Sequence, residues 1–152
     1  MRVYLVIVDD SEEALVAMQY AARRAARTDG ALHLLAIVPP QEFNAFAGVQ
    51  ATIEEEARAR AETLVTAAAG NLLSQGAKMP LISVRVGEDI KVVGKYLEEH
   101  PEVSALVLGA ARESGPGPLV VHFTGSYMAK MACPVFVIPG GLDDKAIEKL
   151  AD

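Results

Sequence analysis

Short apolar runs alternate along the chain with longer stretches whose apolar positions recur every three or four residues. Residues 3–8 (VYLVIV) are apolar on both faces and predict a central parallel strand. Ser11 predicts an N-cap, and Glu12 and Glu13 sit in the first turn, where they suit the helix dipole. The helix carries Ala14, Leu15, Met18, Ala21, Ala22 and Ala25 at helical spacing, and Asp29-Gly30 ends it. Residues 32–38 (LHLLAIV) predict a second strand. Pro39-Pro40 then opens a loop through about Val49 that carries Phe43, Phe46 and Gly48. A long helix is predicted from Thr52, with Ile53, Ala57, Leu64, Ala68 and Leu72 among its apolar positions and Gly76 at its end.

Residues 81–86 (LISVRV) alternate and are β-branched, the pattern of a strand near an edge. A helix from about Asp89 to Glu99 turns Ile90, Val93, Tyr96 and Leu97 inward, and Pro101 breaks it. Residues 103–110 (VSALVLGA) predict a fourth buried strand, followed by the loop ARESGPGP. A helix is best defined from about Gly125 to Met131, and residues 134–138 (PVFVI) form the fifth strand. The tail, 140–152, reads as a short exposed helix capped by Asp143 or Asp144, outside a domain of residues 1–139. Strictly alternating β and α units imply right-handed crossovers and an α/β fold: an open parallel sheet with helices on both faces. In such sheets ligands bind beyond the carboxyl ends of the strands, which selects residues 9–11, 37–49 and 109–126.

Composition narrows the function classes. At 152 residues, 51% hydrophobic and 22% charged, the chain has the balance of one globular domain. Its apolar runs are too short to span a bilayer and its N-terminus does not resemble a signal peptide, so a soluble cytoplasmic protein is expected. The lone Cys133 has no cysteine partner. A net charge of −6 without a basic cluster, and no Trp, argue against nucleic acid as a partner.

The opening IVDDS raises two readings of Asp9 and Asp10. A phosphorylation-switched receiver domain begins with a strand ending in an acid pair, but it also needs an acceptor Asp after its third strand and a Lys after its fifth. Here those strands end in Val86-Gly87 and Ile138-Pro139. Two carboxylates alone make a weak Mg²⁺ site, and this reading is rejected.

The other reading rests on Gly115, nine residues, then Gly125-Ser126. Glycines let backbone approach phosphate oxygens and form an anion nest, and Ser126 lies near a predicted helix start. No Gly-Lys-Ser/Thr of a Walker loop occurs. With VIVDDSE, IVPP, VRVGE, SALVLGA and GSYMAKMACPVFVIP, residues 3–138 resemble the universal stress protein family. The resemblance implies a five-stranded sheet of order 3-2-1-4-5 and a stress-response role. It also implies binding of ATP or AMP, with Mg²⁺ or Mn²⁺ held through the phosphates. Nucleotide-binding members carry Gly-x2-Gly-x9-Gly-Ser/Thr. The second half is met, but Arg112 stands at the first glycine and Gly109 lies three residues too early. By position, the resemblance assigns Asp9 to adenine and ribose and the backbone of Ile37, with Val38 beside it, to the adenine edge. Gly109, Gly115, Gly125 and Ser126 would line ribose and phosphates. The altered loop favours AMP over ATP. A homodimer through the last strand is also implied, with the tail available to clasp the partner.

Plainer roles stand beside these. Asp10 and Ser11 are explained as turn and cap, Gly115 and Gly117 as turn residues, Ser126 as a cap, and Arg112 as a solvated loop cation. No His has a partner at metal-ligand spacing, and no base or nucleophile for catalysis stands out, so at most a slow adenylate hydrolase is expected. The alternative function is a dimeric adaptor of the same family that binds no nucleotide and acts through protein partners.

Overall fold

The computed structural model describes residues 1–40 and 47–152, and side chains other than those of 47–50 within them. The strands are β1 (Val3–Ile7), β2 (Ala31–Val38), β3 (Leu81–Val86), β4 (Ala105–Ala110) and β5 (Val135–Pro139). The helices are α1 (Glu12–Arg27), α2 (Ala47–Ser74), α3 (Asp89–Glu99), α4 (Pro118–Thr124) and α5 (Asp144–Leu150). The sheet is parallel, in the order β3-β2-β1-β4-β5.

Strand alternation divides the interior in two. Tyr4, Val6 and Val8 face α1, α2 and α5, packing with Ala17, Ala21, Val65, Leu72 and Ile147. Val3, Leu5 and Ile7 face α3 and α4, packing with Val93, Tyr96 and Phe123. Both faces of β1 are therefore covered, which is why its sequence is continuously apolar. Among the described residues His33 is the one buried polar side chain, and its Nδ1 lies 2.8 Å from the Tyr96 hydroxyl.

Several sequence expectations shift. Helix α2 begins at Ala47, so the predicted loop through Val49 is shorter; Phe43 and Phe46 lie outside the described residues. Leu15 and Ile53 point to solvent, and Val16 is buried on α1. The helix expected over 125–131 is replaced by α4 and a 3-10 helix over Ser126–Lys130. Pro118 explains this: its fixed φ suits the first helical position and it has no N–H to leave unpaired. The tail does form a helix, capped by Asp143, whose Oδ1 accepts from the Ala146 N–H at 2.9 Å. It is not an exposed arm, because Ile147 and Ala151 are each 1% exposed and the end of the tail packs on α1. Arg24 donates to the Ala151 carbonyl at 3.2 Å, and Arg27 pairs with Asp152.

Candidate functional site

Asp9 stands on a ridge at the carboxyl end of β1, with a cleft on each side. The ridge is built locally. Asp9 Oδ1 accepts the Ser11 N–H at 2.8 Å, and Ser11 Oγ accepts the Ala14 N–H at 3.2 Å. Ser11 is thus the expected cap. Asp9 is itself part of the turn, with its second oxygen left for another donor.

The cleft on the α2 side has a volume of about 400 Å³. Ala36, Ile37, Val38 and Pro39 form one wall, and Ala57, Arg60, Ala61 and Leu64 of α2 form the other. Its main polar feature is backbone. In a strand, the N–H and C=O of one residue point to the same side, and successive residues alternate. The Leu35 carbonyl accepts from Val8 on β1, and the Val38 carbonyl accepts the Gly87 N–H at 2.9 Å on the β3 side. Ile37 therefore points its N–H and C=O toward the β1 side, beyond Leu35, the last β2 residue paired with β1. Of the two adjacent residues assigned to an adenine edge, Ile37 presents its peptide groups to this gap and Val38 does not.

The cleft on the β4 side is smaller, about 130 Å³, and is bounded by Gly109 and residues 116–120. Asp9, Glu13 and Asp89 contribute three carboxylates and no cation lines it. Asp89 is exposed as a residue, yet its carboxyl is pushed above the usual range, first by burial and then by the charge on Asp9. Arg112 does not enter this cleft. It donates to Glu12 Oε1 and Oε2 at 3.1 and 3.0 Å, where the sequence suggested a solvated cation.

The glycines have backbone duties. A Cβ on Gly109 would collide with the Glu13 carbonyl oxygen at the start of α1. Gly115 (φ 86°) and Gly117 (φ 106°) turn the loop through left-handed conformations, and the Ala111 N–H donates to the Pro116 carbonyl across it. Gly115, Gly125 and Ser126 line neither cleft, and Ser126 makes no side-chain capping bond. The structure thus brings Asp9, Ile37 and Val38 together on one side of the ridge and Asp9 with Gly109 on the other. Arg60 and Asp89 escaped the sequence reading. Arg60 sits in EEEARARAE, where regular charge reads as a solvated face, and Asp89 reads as an ordinary first-turn acid.

Among the described residues, no group of three or more His, Cys, Asp or Glu is placed to hold a metal ion. No helix among them is long and apolar enough to cross a membrane.

The sequence matches the universal stress protein family model over residues 1–139. No curated protein matches it. Among solved structures, the universal stress protein UspA from Lactobacillus plantarum is similar at 22% identity and TM-score 0.78, covering 90% of this chain and 97% of that one. A universal stress protein in complex with cAMP aligns at 17% identity and TM-score 0.52, over 92% and 98% of the two chains. A family member from Arabidopsis thaliana with AMP bound aligns at 14% identity and TM-score 0.56, over 91% and 92%.

Proposed function

Because the chain belongs to the universal stress protein family, we propose that it binds an adenine nucleotide at the carboxyl end of the sheet and serves a regulatory role in stress response. The observation that carries this reading is the Ile37 peptide, which presents a donor and an acceptor into an apolar-walled cleft beside Asp9. One N–H and one C=O are what the edge of an adenine ring needs, and Asp9 accepts from ribose hydroxyls. The cleft has the size common for small-molecule sites, ~300–1,000 Å³. Relatives of this fold hold cAMP and AMP.

AMP suits the site better than ATP. A triphosphate directed toward the β4 side meets Asp9, Glu13 and Asp89, and would need to bring Mg²⁺ or Mn²⁺ to offset them. In the resemblance-based assignment Gly109, Gly115, Gly125 and Ser126 contact that phosphate end. Titration calorimetry of adenosine, AMP, cAMP and ATP, with and without Mg²⁺, tests the proposal. AMP binding in the micromolar to submillimolar range is expected, and silence from all four at millimolar concentration defeats it.

The adaptor reading is favoured by one observation: the loop's arginine, Arg112, lies against Glu12 in an exposed pair and outside both clefts. The same calorimetric silence would promote it. In either case a homodimer through residues 134–138 is proposed. β5 is an edge strand with Val137 exposed, and pairing with its symmetry mate covers it. Sedimentation of wild type and Val137→Lys tests this, with a monomeric variant expected.

A further inference from the structure

We propose that His33, Tyr96 and His100 form an acid-operated latch, which holds the C-terminal end of α3 against the sheet at neutral pH and lets it open as the medium acidifies. The latch lies at the amino-terminal pole of the sheet, away from both clefts, and works whatever they bind. Its parts converge from separate elements. His33 on β2 is 7% exposed and is the one buried polar side chain among the described residues. Its Nδ1 lies 2.8 Å from the hydroxyl of Tyr96 on α3, and Ser83 on β3 hydrogen-bonds the same hydroxyl. Tyr96 is wholly buried. The His100 ring stacks on the Tyr96 ring at 3.9 Å, and the Arg85 guanidinium lies 4.8 Å from the centre of that ring. These distances leave no room for both on one face, so Tyr96 is sandwiched between them. His100 Nδ1 lies 2.9 Å from the Tyr96 carbonyl. A carbonyl only accepts, so the neutral ring carries its hydrogen on Nδ1 and closes the end of the helix.

This packing suits neutral imidazoles. Protonation makes both nitrogens of His33 donors and places a charge in a site shielded from water. The His33 and His100 rings are 5.6 Å apart, so a charge on one opposes a charge on the other, and Arg85 is a permanent cation beside them. Glu102 is the carboxylate that acts the other way, whereas Glu99 accepts from Arg85 at 3.0 and 3.4 Å. Lys95 acts on Glu99, Glu98 and Lys130 border the cavity beside His100, and Leu5, the β1 neighbour of His33, is apolar. Burial and then His100 accordingly hold the His33 pKa below its ordinary 6.5. The opened state takes up the proton first, so acid favours opening. The space to be opened is already there. A cavity of about 230 Å³ lies between the end of α3 and the segment before β5, walled by Leu97, Val103, Met131 and Cys133 among others. Helix α3 starts at Asp89 in the β4-side cleft, so latch and cleft occupy opposite ends of one element.

Residue-resolved amide exchange between pH 7 and pH 5, corrected for intrinsic rates, tests the latch on wild type, His33→Asn and His122→Gln. An NMR titration of the histidines in wild type accompanies it. Amides of residues 97–103 are expected to open more often than those of β1 at both pH values, and their opening to rise about fivefold at pH 5. The rise should track the protonation of His33 and be lost in His33→Asn. It should persist in His122→Gln, because the His122 ring meets Phe123 and Tyr127 instead. Exchange of 97–103 in step with β1 would mean that the end of α3 parts only when the whole fold does, and overturns the proposal. So does opening that is unchanged by acid, or that survives in a folded His33→Asn. A mismatch between the opening midpoint and the His33 titration overturns it as well, and that comparison needs wild type alone, whether or not His33→Asn folds.

Discussion

The two clefts beside Asp9 share one carboxylate and differ in almost everything else. The α2 side is wide, apolar-walled and open to a strand peptide, with a cation that has no partner among the described residues. The β4 side is narrow and acidic, its nearby arginine tied to Glu12 and its glycine at 109 filled by the backbone of α1. The difference teaches that a glycine pattern reports close backbone approach without saying what approaches. At Gly109 the approaching group is the chain's own helix. The place where a guest has room arises instead because β2 runs on past the end of β1.

Gly109→Ala is the strongest way to break this comparison. Its methyl meets the Glu13 carbonyl, so stability should fall by about 3 kcal/mol in urea unfolding. Wild-type stability would free Gly109 for the ligand role. Next is the ridge. Ser11→Ala removes the cap between the clefts and should cost about 1 kcal/mol, read as a lowered Tm.

Asp89→Asn sharpens the electrostatic contrast. Removing one of three like charges should raise ATP affinity up to about fivefold while changing AMP less. An equal gain for both nucleotides would mean that AMP also lies toward the loop.

Acidification supplies the smallest effect and a baseline away from Asp9. His33 is held below its ordinary value of 6.5, first by burial and then by His100, with Glu102 opposing; its Nδ1 meets the Tyr96 hydroxyl, whose ring carries Arg85 on one face. A depressed histidine pKa means that the unfolded chain takes up the proton first. Its stabilising contribution is therefore full above pH 6.5 and declines as pH falls toward the folded value. Thermal unfolding at pH 7 and pH 5 should show this decline, and His33→Asn should lessen its slope.

The fold was legible because the central strands are nearly continuous apolar runs, β3 alternates as an edge strand does, and the first three crossovers carry helices. β3 and α3 fall on the residues expected. The last crossover was misread because Pro118 starts a helix inside what looks like a loop, and Gly125 ends it. Part of the candidate site was marked in advance. Hydropathy marks the strand ends where Asp9 and Ile37 sit, and the family resemblance singled out those two residues there. The rest depends on which peptide groups lack a neighbouring strand and which arginine lacks a carboxylate. Those properties belong to pairings between distant segments, and no residue type records them.

The tail offers a practical corollary for anyone trimming the protein to its family boundary. A chain cut after Pro139 would lose Ile147, which is part of the core between the sheet and α1, and Ala151, which is buried and held at its carbonyl by Arg24. The fresh oily scar would open on the α1 side of that core, and such a fragment should be sticky and prone to precipitate.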